Sequence, residues 1–286
     1  MDSLPDNFGA LEKEFSSYEK SKAVILPVPY EGTVTYGKGT ANGPKAIIEA
    51  SKNMELYDIE LDKEIYDVGI HTLKELKVEK KPEDVINQVY DSVKKIINDN
   101  KFPVVLGGEH SITLGAVKAS KEKYDNLSVL QIDAHSDLRD SYDGTKFSHA
   151  CVMRRVIEIC PIIQVGIRSM DIDETKFIKK IAHKNIFFAK DMHNNWYDKA
   201  IKLLTNNVYI TIDVDGLDPS IMPSTGTPEP GGLLWYQTIN FLRKIAENKN
   251  IVGFDVVELS PIKENHAPDF LAAKLTYKLI GYSLLK

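Results

Sequence analysis

The sequence predicts an α/β fold: a mostly parallel sheet with helices on both faces, in a single domain spanning residues 1–286. Three observations carry this expectation. Short β-branched runs alternate with longer amphipathic runs along the chain, the pattern of repeated strand–helix crossovers. The strand-like runs are apolar throughout rather than alternating, as in strands covered on both faces. Gly- and Pro-rich loops follow several of these runs, at 30–43, 107–109, 138–147 and 219–232. In open α/β sheets ligands sit beyond the carboxyl ends of the strands, so these loops are expected to share one edge.

Taken in order, β-branched apolar runs predict strands at 23–28, 103–106, 127–132, 162–166, 186–189, 208–213 and 251–257, with a weaker one at 66–70. Amphipathic runs predict helices at 43–51, 82–99, 112–124, 150–159, 171–183, 196–204, 234–248 and 268–284. The first 20 or so residues are polar and are expected on the surface. No internal repeat or low-complexity segment interrupts the pattern.

Composition narrows the function. With 286 residues, 43% of them hydrophobic, the chain can bury a large core. A net charge of −5 without any Lys/Arg block argues against a nucleic-acid partner and suits a small cationic substrate. Two cysteines, Cys151 and Cys160, do not make a disulfide framework or a thiolate zinc site and are expected as small core residues. The start, Met1-Asp2-Ser3-Leu4-Pro5-Asp6, lacks the basic and apolar segments of a signal peptide. No run of about 18 apolar residues is present for a membrane span, so a cytoplasmic location is expected.

Two aspartate-rich stretches stand out: Asp133-Ala134-His135-Ser136-Asp137 and Asp213-Val214-Asp215-Gly216-Leu217-Asp218-Pro219. Each follows an apolar strand-like run. Buried carboxylates need a counter-charge, and a divalent cation supplies it. Asp133, His135 and Asp137 fall at i, i+2 and i+4, which on extended backbone aims all three to one side. Asp213 and Asp215 repeat the i, i+2 spacing. His110, in Gly107-Gly108-Glu109-His110-Ser111, is a sixth candidate, and the two glycines permit a tight turn before it. Four carboxylates and two imidazoles suit Mn²⁺ or Mg²⁺ better than copper or structural zinc. One octahedral Mg²⁺ keeps several waters and rarely uses six protein ligands. Two cations roughly 3.5–4 Å apart, sharing bridging carboxylates and activating a water, use six readily. Singly, these residues have plainer readings: a strand-end Asp as a cap or turn residue, Asp218-Pro219 as a turn, His110 as a structural residue before a helix. Jointly they point to a dinuclear metal hydrolase.

These three motifs, in this order, resemble the metal motifs of the ureohydrolase (arginase/agmatinase) family. The similarity runs from Pro27-Val28-Pro29-Tyr30 to Glu258-Leu259-Ser260-Pro261. The resemblance implies a three-layer αβα fold, two Mn²⁺ per subunit, and a homo-oligomer, either trimer or hexamer. It implies hydrolysis of a guanidino group, with release of urea, by a metal-bridging hydroxide. It assigns His110, Asp133, Asp137 and Asp213 to one cation and Asp133, His135, Asp213 and Asp215 to the other, so that Asp133 and Asp213 bridge. Glu258 matches the family carboxylate that holds the substrate guanidinium in a charge-assisted pair. Its plainer reading is a surface acid or helix cap, and Asp255 is a weaker candidate for the same role. His149 matches a family histidine proposed as proton shuttle, a task suited to an imidazole near neutral pH. Its plainer reading is a helix cap. Asp137, or a metal-bound water with His149, would carry the proton to the leaving amine. Glu109 stands where arginases carry Asp, and is expected to orient a ligating imidazole. His71, His183, His193 and His266 match no motif.

The loop at 137–149 bears on the substrate. It lacks the small hydrogen-bonding residues with which arginases bind an α-carboxylate, and resembles the agmatinase version, with Tyr142, Gly144 and Ser148-His149-Ala150-Cys151. The segments Tyr36-Gly37-Lys38-Gly39-Thr40 and Thr225-Gly226-Thr227-Pro228-Glu229 are similar to agmatinases as well. The implied reaction is hydrolysis of agmatine to putrescine and urea. Asp140 and Asp143 are candidates to attract the distal amine. Arg139 and Lys146 keep other substrates open: 4-guanidinobutyrate, guanidinopropionate, arginine or formiminoglutamate. Outside the enzymes, the alternative is a non-catalytic, metal-containing polyamine- or guanidine-binding protein.

Overall fold

Seven apolar β-branched runs become strands of one eight-stranded parallel sheet in the computed structural model, which describes residues 5–192 and 195–285. In chain order the strands are β1 (Ala23–Val28), β2 (Tyr57–Asp58), β3 (Lys63–Glu64), β4 (Ile70–Thr72), β5 (Phe102–Gly107), β6 (Leu127–Ile132), β7 (Ile162–Ile167), β8 (Ile186–Phe188), β9 (Asn207–Asp213) and β10 (Asn250–Val257). The helices are α1 (Lys13–Ser16), α2 (Gly43–Ser51), α3 (Pro82–Asn98), α4 (Thr113–Lys123), α5 (Val152–Val156), α6 (Ile172–Lys180), α7 (Trp196–Leu203), α8 (Trp235–Asn248) and α9 (Ala267–Leu284). The sheet order is β4-β1-β5-β10-β9-β6-β7-β8, and every pairing in it is parallel. β2 and β3 form a separate antiparallel pair.

Successive side chains on a strand point to opposite faces, and here both faces are covered. β1 sends Ala23 and Ile25 into one core and Val24, Leu26 and Val28 into the other. The first core takes Ile47 of α2, Ala200 of α7, Phe241 of α8 and Leu275 of α9. The second takes Val89 of α3, Val117 of α4 and Val156 of α5. The result is the expected three-layer αβα arrangement. Each fully buried aliphatic side chain contributes roughly 1.5–3 kcal/mol by leaving water, so the two cores hold the strand ends, and the loops on them, in place. Among the described residues, no helix is long and apolar enough to cross a membrane. Cys151 and Cys160 are free and buried.

Three expectations need correction. The weak strand at 66–70 lies further on, at β4: Ile65–Val68 forms a 3₁₀ turn that ends at Gly69, whose φ is +74°. A Cβ there would come within 2.6 Å of Ser21 Cα, so the strand cannot begin until the chain has passed it. The helix expected at 150–159 shrinks to α5, preceded by a 3₁₀ turn at His149–Cys151. The amino-terminal segment is not simply a surface one: Phe8 and Leu11 are buried in the first core, while Glu12, Lys13 and Glu14 stay exposed. His193 lies outside the described residues.

Candidate metal and substrate site

Sheet order assembles the site. β5, β10, β9 and β6 are neighbours at the centre of the sheet, and the chemistry sits just beyond their carboxyl ends. His110 follows β5, Asp133 to Asp137 follow β6, Asp213 closes β9 with Asp215 just beyond, and Glu258 follows β10. Gly108 is required by a close approach rather than by a special turn: a Cβ would lie 2.1 Å from Tyr30 O. We expect Gly108→Ala to lose about 1–3 kcal/mol of stability through overpacking, visible as a lower Tm in thermal unfolding. Asp137 and Glu258 both adopt left-handed backbone, at φ 52° and 65°, a conformation uncommon for non-glycine residues.

The candidate ligands converge. His110 Nδ1 lies 3.0 Å from Asp137 Oδ2, 3.3 Å from Asp133 Oδ2 and 3.5 Å from Asp213 Oδ2. His135 Nδ1 lies 2.9 Å from Asp215 Oδ2 and 3.7 Å from Asp133 Oδ1. Two groups could each hold a cation, His110 with Asp133 and Asp213, and His135 with Asp133 and Asp215, and Asp133 belongs to both. Backbone donors set the carboxylates: His135 N donates to Asp133 at 2.6 Å, Asp215 N to Asp213 at 2.9 Å, and Ala134 N to Asp215 at 3.0 Å.

A test of fit comes from His110. Thr211 Oγ1 donates to Asp255 Oδ1 at 2.5 Å and therefore accepts from His110 Nε2 at 2.8 Å. In the neutral ring that a bound cation requires, the proton is then on Nε2. Nδ1 is buried without a hydrogen-bond partner, its lone pair facing three carboxylate oxygens. A cation resolves that arrangement, and the oxygen-rich donor set fits a hard divalent ion.

Electrostatics agree. Burial pushes Asp213 and Glu258 well above the usual carboxylate range, reinforced for Asp213 by Asp215 and Asp133 and for Glu258 by Glu109. Burial and then Asp133 push Asp137 up to about 7. Burial opposes charge on His135, but Asp133 and Asp215 outweigh it and raise the ring to about 12. Carboxyls with raised folded values destabilise the fold as pH climbs from the ordinary 3.8 through about 7, because the unfolded chain gives up protons first. The raised imidazole acts in the same sense above its ordinary 6.5. A bound cation replaces those protons. The Tm difference between metal-loaded and chelated protein is therefore expected to widen across that pH range; a constant gap in calorimetry would contradict it.

A cavity of about 290 Å³ opens on the clusters, lined by the buried His110, Asp137, Asp213, Asp215 and Glu258 and by the half-buried His135, His149, Tyr142, Arg139 and Asp171. Asp133 lies fully buried beneath it. Glu258 Oε1 accepts from His110 N at 2.7 Å, which aims the carboxylate across the site. His149 packs edge-on to Tyr142, and burial lowers its pKa. Arg139 lies 3.5 Å from Asp171 Oδ2 and over the Tyr142 ring. It is the sole Arg or Lys lining the cavity among the described residues. Asp218 is the turn residue expected, accepting from Ser220, Gly231 and Gly232 backbone N–H groups.

Several expectations change. Glu109 bonds to no imidazole: its carboxylate accepts from Gly32 N, Thr33 N, Thr33 Oγ1 and Ser111 Oγ. Asp255 holds no substrate position but braces His110 through Thr211, and also accepts from Tyr209 at 2.9 Å. Asp140 is tied to Arg155 at 2.8 Å, and neither it nor Asp143 lines the cavity. Asp171 and Glu174 line it instead: Asp171 is half-buried, whereas Glu174 is buried and accepts from Ser136 Oγ, Leu138 N and Asp171 N. Sequence reasoning also missed Gln131, which donates to Asp133 at 2.6 Å and accepts from Gln164 at 2.6 Å, and Arg168, which donates to Asp215 O at 2.6 Å. Polar Gln131, Gln164 and Thr211 inside otherwise apolar strands were the available signal.

The fold and the paired clusters are those of a hydrolase acting on guanidino substrates. The chain belongs to the Arginase family, whose profile matches residues 21–281. It is 40% identical to N(1)-aminopropylagmatine ureohydrolase of Synechocystis sp., over 97% of this chain and 96% of that one. It is 35% identical to agmatinase of Pyrococcus horikoshii, over 91% of each chain. Among solved structures, agmatine ureohydrolase of Thermoplasma volcanium superposes with a TM-score of 0.87 at 34% identity, covering 99% of this chain and 95% of that one. Arginase from Bacillus cereus superposes with 0.78 at 25% identity, covering 91% and 98%.

Proposed function

We propose that the protein is an agmatine ureohydrolase that releases putrescine and urea, with two Mn²⁺ held by His110, Asp133, Asp137 and Asp213 and by Asp133, His135, Asp213 and Asp215. The observation that carries this reading is a cavity whose buried lining is rich in carboxylates, Glu258 among them, and whose one Arg among the described lining residues, Arg139, lies 3.5 Å from Asp171. A substrate carboxylate would therefore meet a guanidinium that is already paired with an acid. Bound cations would supply Lewis acidity and a hydroxide nucleophile at neutral pH. Glu258 would hold the guanidinium by charge-assisted hydrogen bonds and orient its carbon toward the carboxylate base of the cavity. His149, with Asp137, would carry a proton to the leaving amine.

A second substrate, N1-aminopropylagmatine, is favoured by the 40% and 38% identical relatives that carry its name. It shares the guanidino end and differs only toward the mouth. Urea release from both amines, arginine and 4-guanidinobutyrate by Mn²⁺-loaded protein tests the reading. Either amine is expected to exceed the carboxylated substrates in kcat/KM; the reverse order would overturn the amine reading, and no urea from any of them would overturn the activity. Asp171→Asn keeps a capping side chain on α6 but leaves Arg139 unpaired. It is expected to shift the ratio of agmatine to 4-guanidinobutyrate turnover several-fold toward the acid, because a rim ion pair is worth roughly 0.2–1 kcal/mol.

A further inference from the structure

We propose that Thr33 and Glu109 lock His149 in the tautomer that carries its proton on Nδ1, leaving Nε2 as the basic atom of the ring. The proposal rests on the reading of His149 as proton carrier. Thr33 Oγ1 lies 2.6 Å from Glu109 Oε1, 3.1 Å from His149 Nδ1 and 3.3 Å from the backbone N of His149. Glu109 is fully buried and also accepts from Gly32 N at 2.8 Å, Thr33 N at 2.6 Å and Ser111 Oγ at 2.6 Å. A carboxylate ringed by donors is an acceptor, so the one hydroxyl proton of Thr33 goes to it. The two remaining sites on Thr33 Oγ1 can only accept. One takes the backbone N–H of His149; the other takes a proton on Nδ1. The hydrogen bond at one ring nitrogen decides the state of the other.

The same device appears at His110 with the opposite nitrogen. There Thr211 donates to Asp255 and accepts from Nε2, leaving Nδ1 bare. A Thr–carboxylate pair thus sets each ring: one for metal binding, one for proton transfer. The edge-on Tyr142 ring, 5.7 Å away, holds the plane of His149. In a turnover, Nε2 takes a proton from water, leaving the hydroxide that replaces the one consumed at the guanidino carbon, and gives that proton to the amine nitrogen as the bond between that nitrogen and the carbon breaks. The ring ends as it began. Thr33 and Glu109 touch no reacting atom and act as positioning residues.

The test is nitrogen-15 NMR of histidine-labelled protein loaded with diamagnetic Mg²⁺, with His149→Asn to assign the ring. The expected wild-type spectrum shows Nδ1 protonated and Nε2 bare; Nε2 protonated instead overturns the lock, whatever the variants do. In Thr33→Val the ring should move to the Nε2-protonated form and kcat of the Mn²⁺ enzyme fall about 10–100-fold, as for loss of a supporting hydrogen bond, with KM and metal content unchanged. Thr33→Ser should restore both. An unchanged tautomer in Thr33→Val overturns the proposal. Full activity in His149→Asn, with the wild-type tautomer as stated, would instead overturn the proton-carrier reading and leave the lock standing.

Discussion

Asp133→Ala is expected to abolish urea release and to empty both proposed cation positions together. Asp133 places one oxygen 3.3 Å from His110 Nδ1 and the other 3.7 Å from His135 Nδ1, so one side chain serves both clusters. Its own position is set by Gln131 and by the backbone of His135. Removing a residue that only supports a ligand typically loses 10–100-fold; removing a shared ligand should exceed roughly 100-fold. His135→Ala is the informative contrast, since it strips one cluster and leaves the set around His110 intact. Elemental analysis should find no bound metal in Asp133→Ala and about half the full content in His135→Ala. Asp213→Ala is expected to follow Asp133→Ala. Wild-type metal content in Asp133→Ala would rule out the shared-ligand reading.

Glu258→Gln is expected to separate activity from stability. The amide oxygen can still accept from His110 N, so the loop keeps its geometry. The charge that would meet a guanidinium is gone, however. Losing one partner of a buried charged hydrogen-bonded pair costs about 2–5 kcal/mol, which is on the order of 30-fold to 4,000-fold in kcat/KM. Burial pushes the native carboxyl well above its usual range, so a neutral group suits this position at least as well. Tm should hold or rise while kcat/KM collapses and metal content stays constant. Near-native kcat/KM would mean that the guanidinium is held elsewhere.

What was legible in the sequence had local signatures. β1 and β6 lie at the residues expected because continuous apolar runs between polar turns leave no other register. Five of the six metal candidates stood out because acids and an imidazole at i, i+2 spacing after buried strands have few structural uses, and the sixth, His110, because it follows an apolar run and a Gly-Gly pair. What was illegible depended on partners remote in sequence. Glu109 looked like an imbuer of order for a neighbouring imidazole, but its partner Thr33 is 76 residues away. Asp140 looked available until Arg155 closed on it. Phe8 gave no periodicity among polar neighbours, yet it packs beside Tyr277. The left-handed backbone of Asp137 and Glu258 has no sequence mark at all, since neither position is a glycine.

The insertion of β10 between β5 and β9 has a consequence for synthesis. One flank of the sheet, β4-β1-β5, is complete by residue 107; the other, β9-β6-β7-β8, is complete by residue 213. The strand that joins them ends at residue 257. At translation rates of about 5–20 residues per second, the growing chain spends roughly 2–9 s with both flanks made and no joint between them. Through that interval β5 and β9 each present an open row of N–H and C=O groups, the template on which strands of other chains pair. Demand for chaperones should concentrate in that interval, and a ribosome halted within it carries two half-sheets and no Glu258.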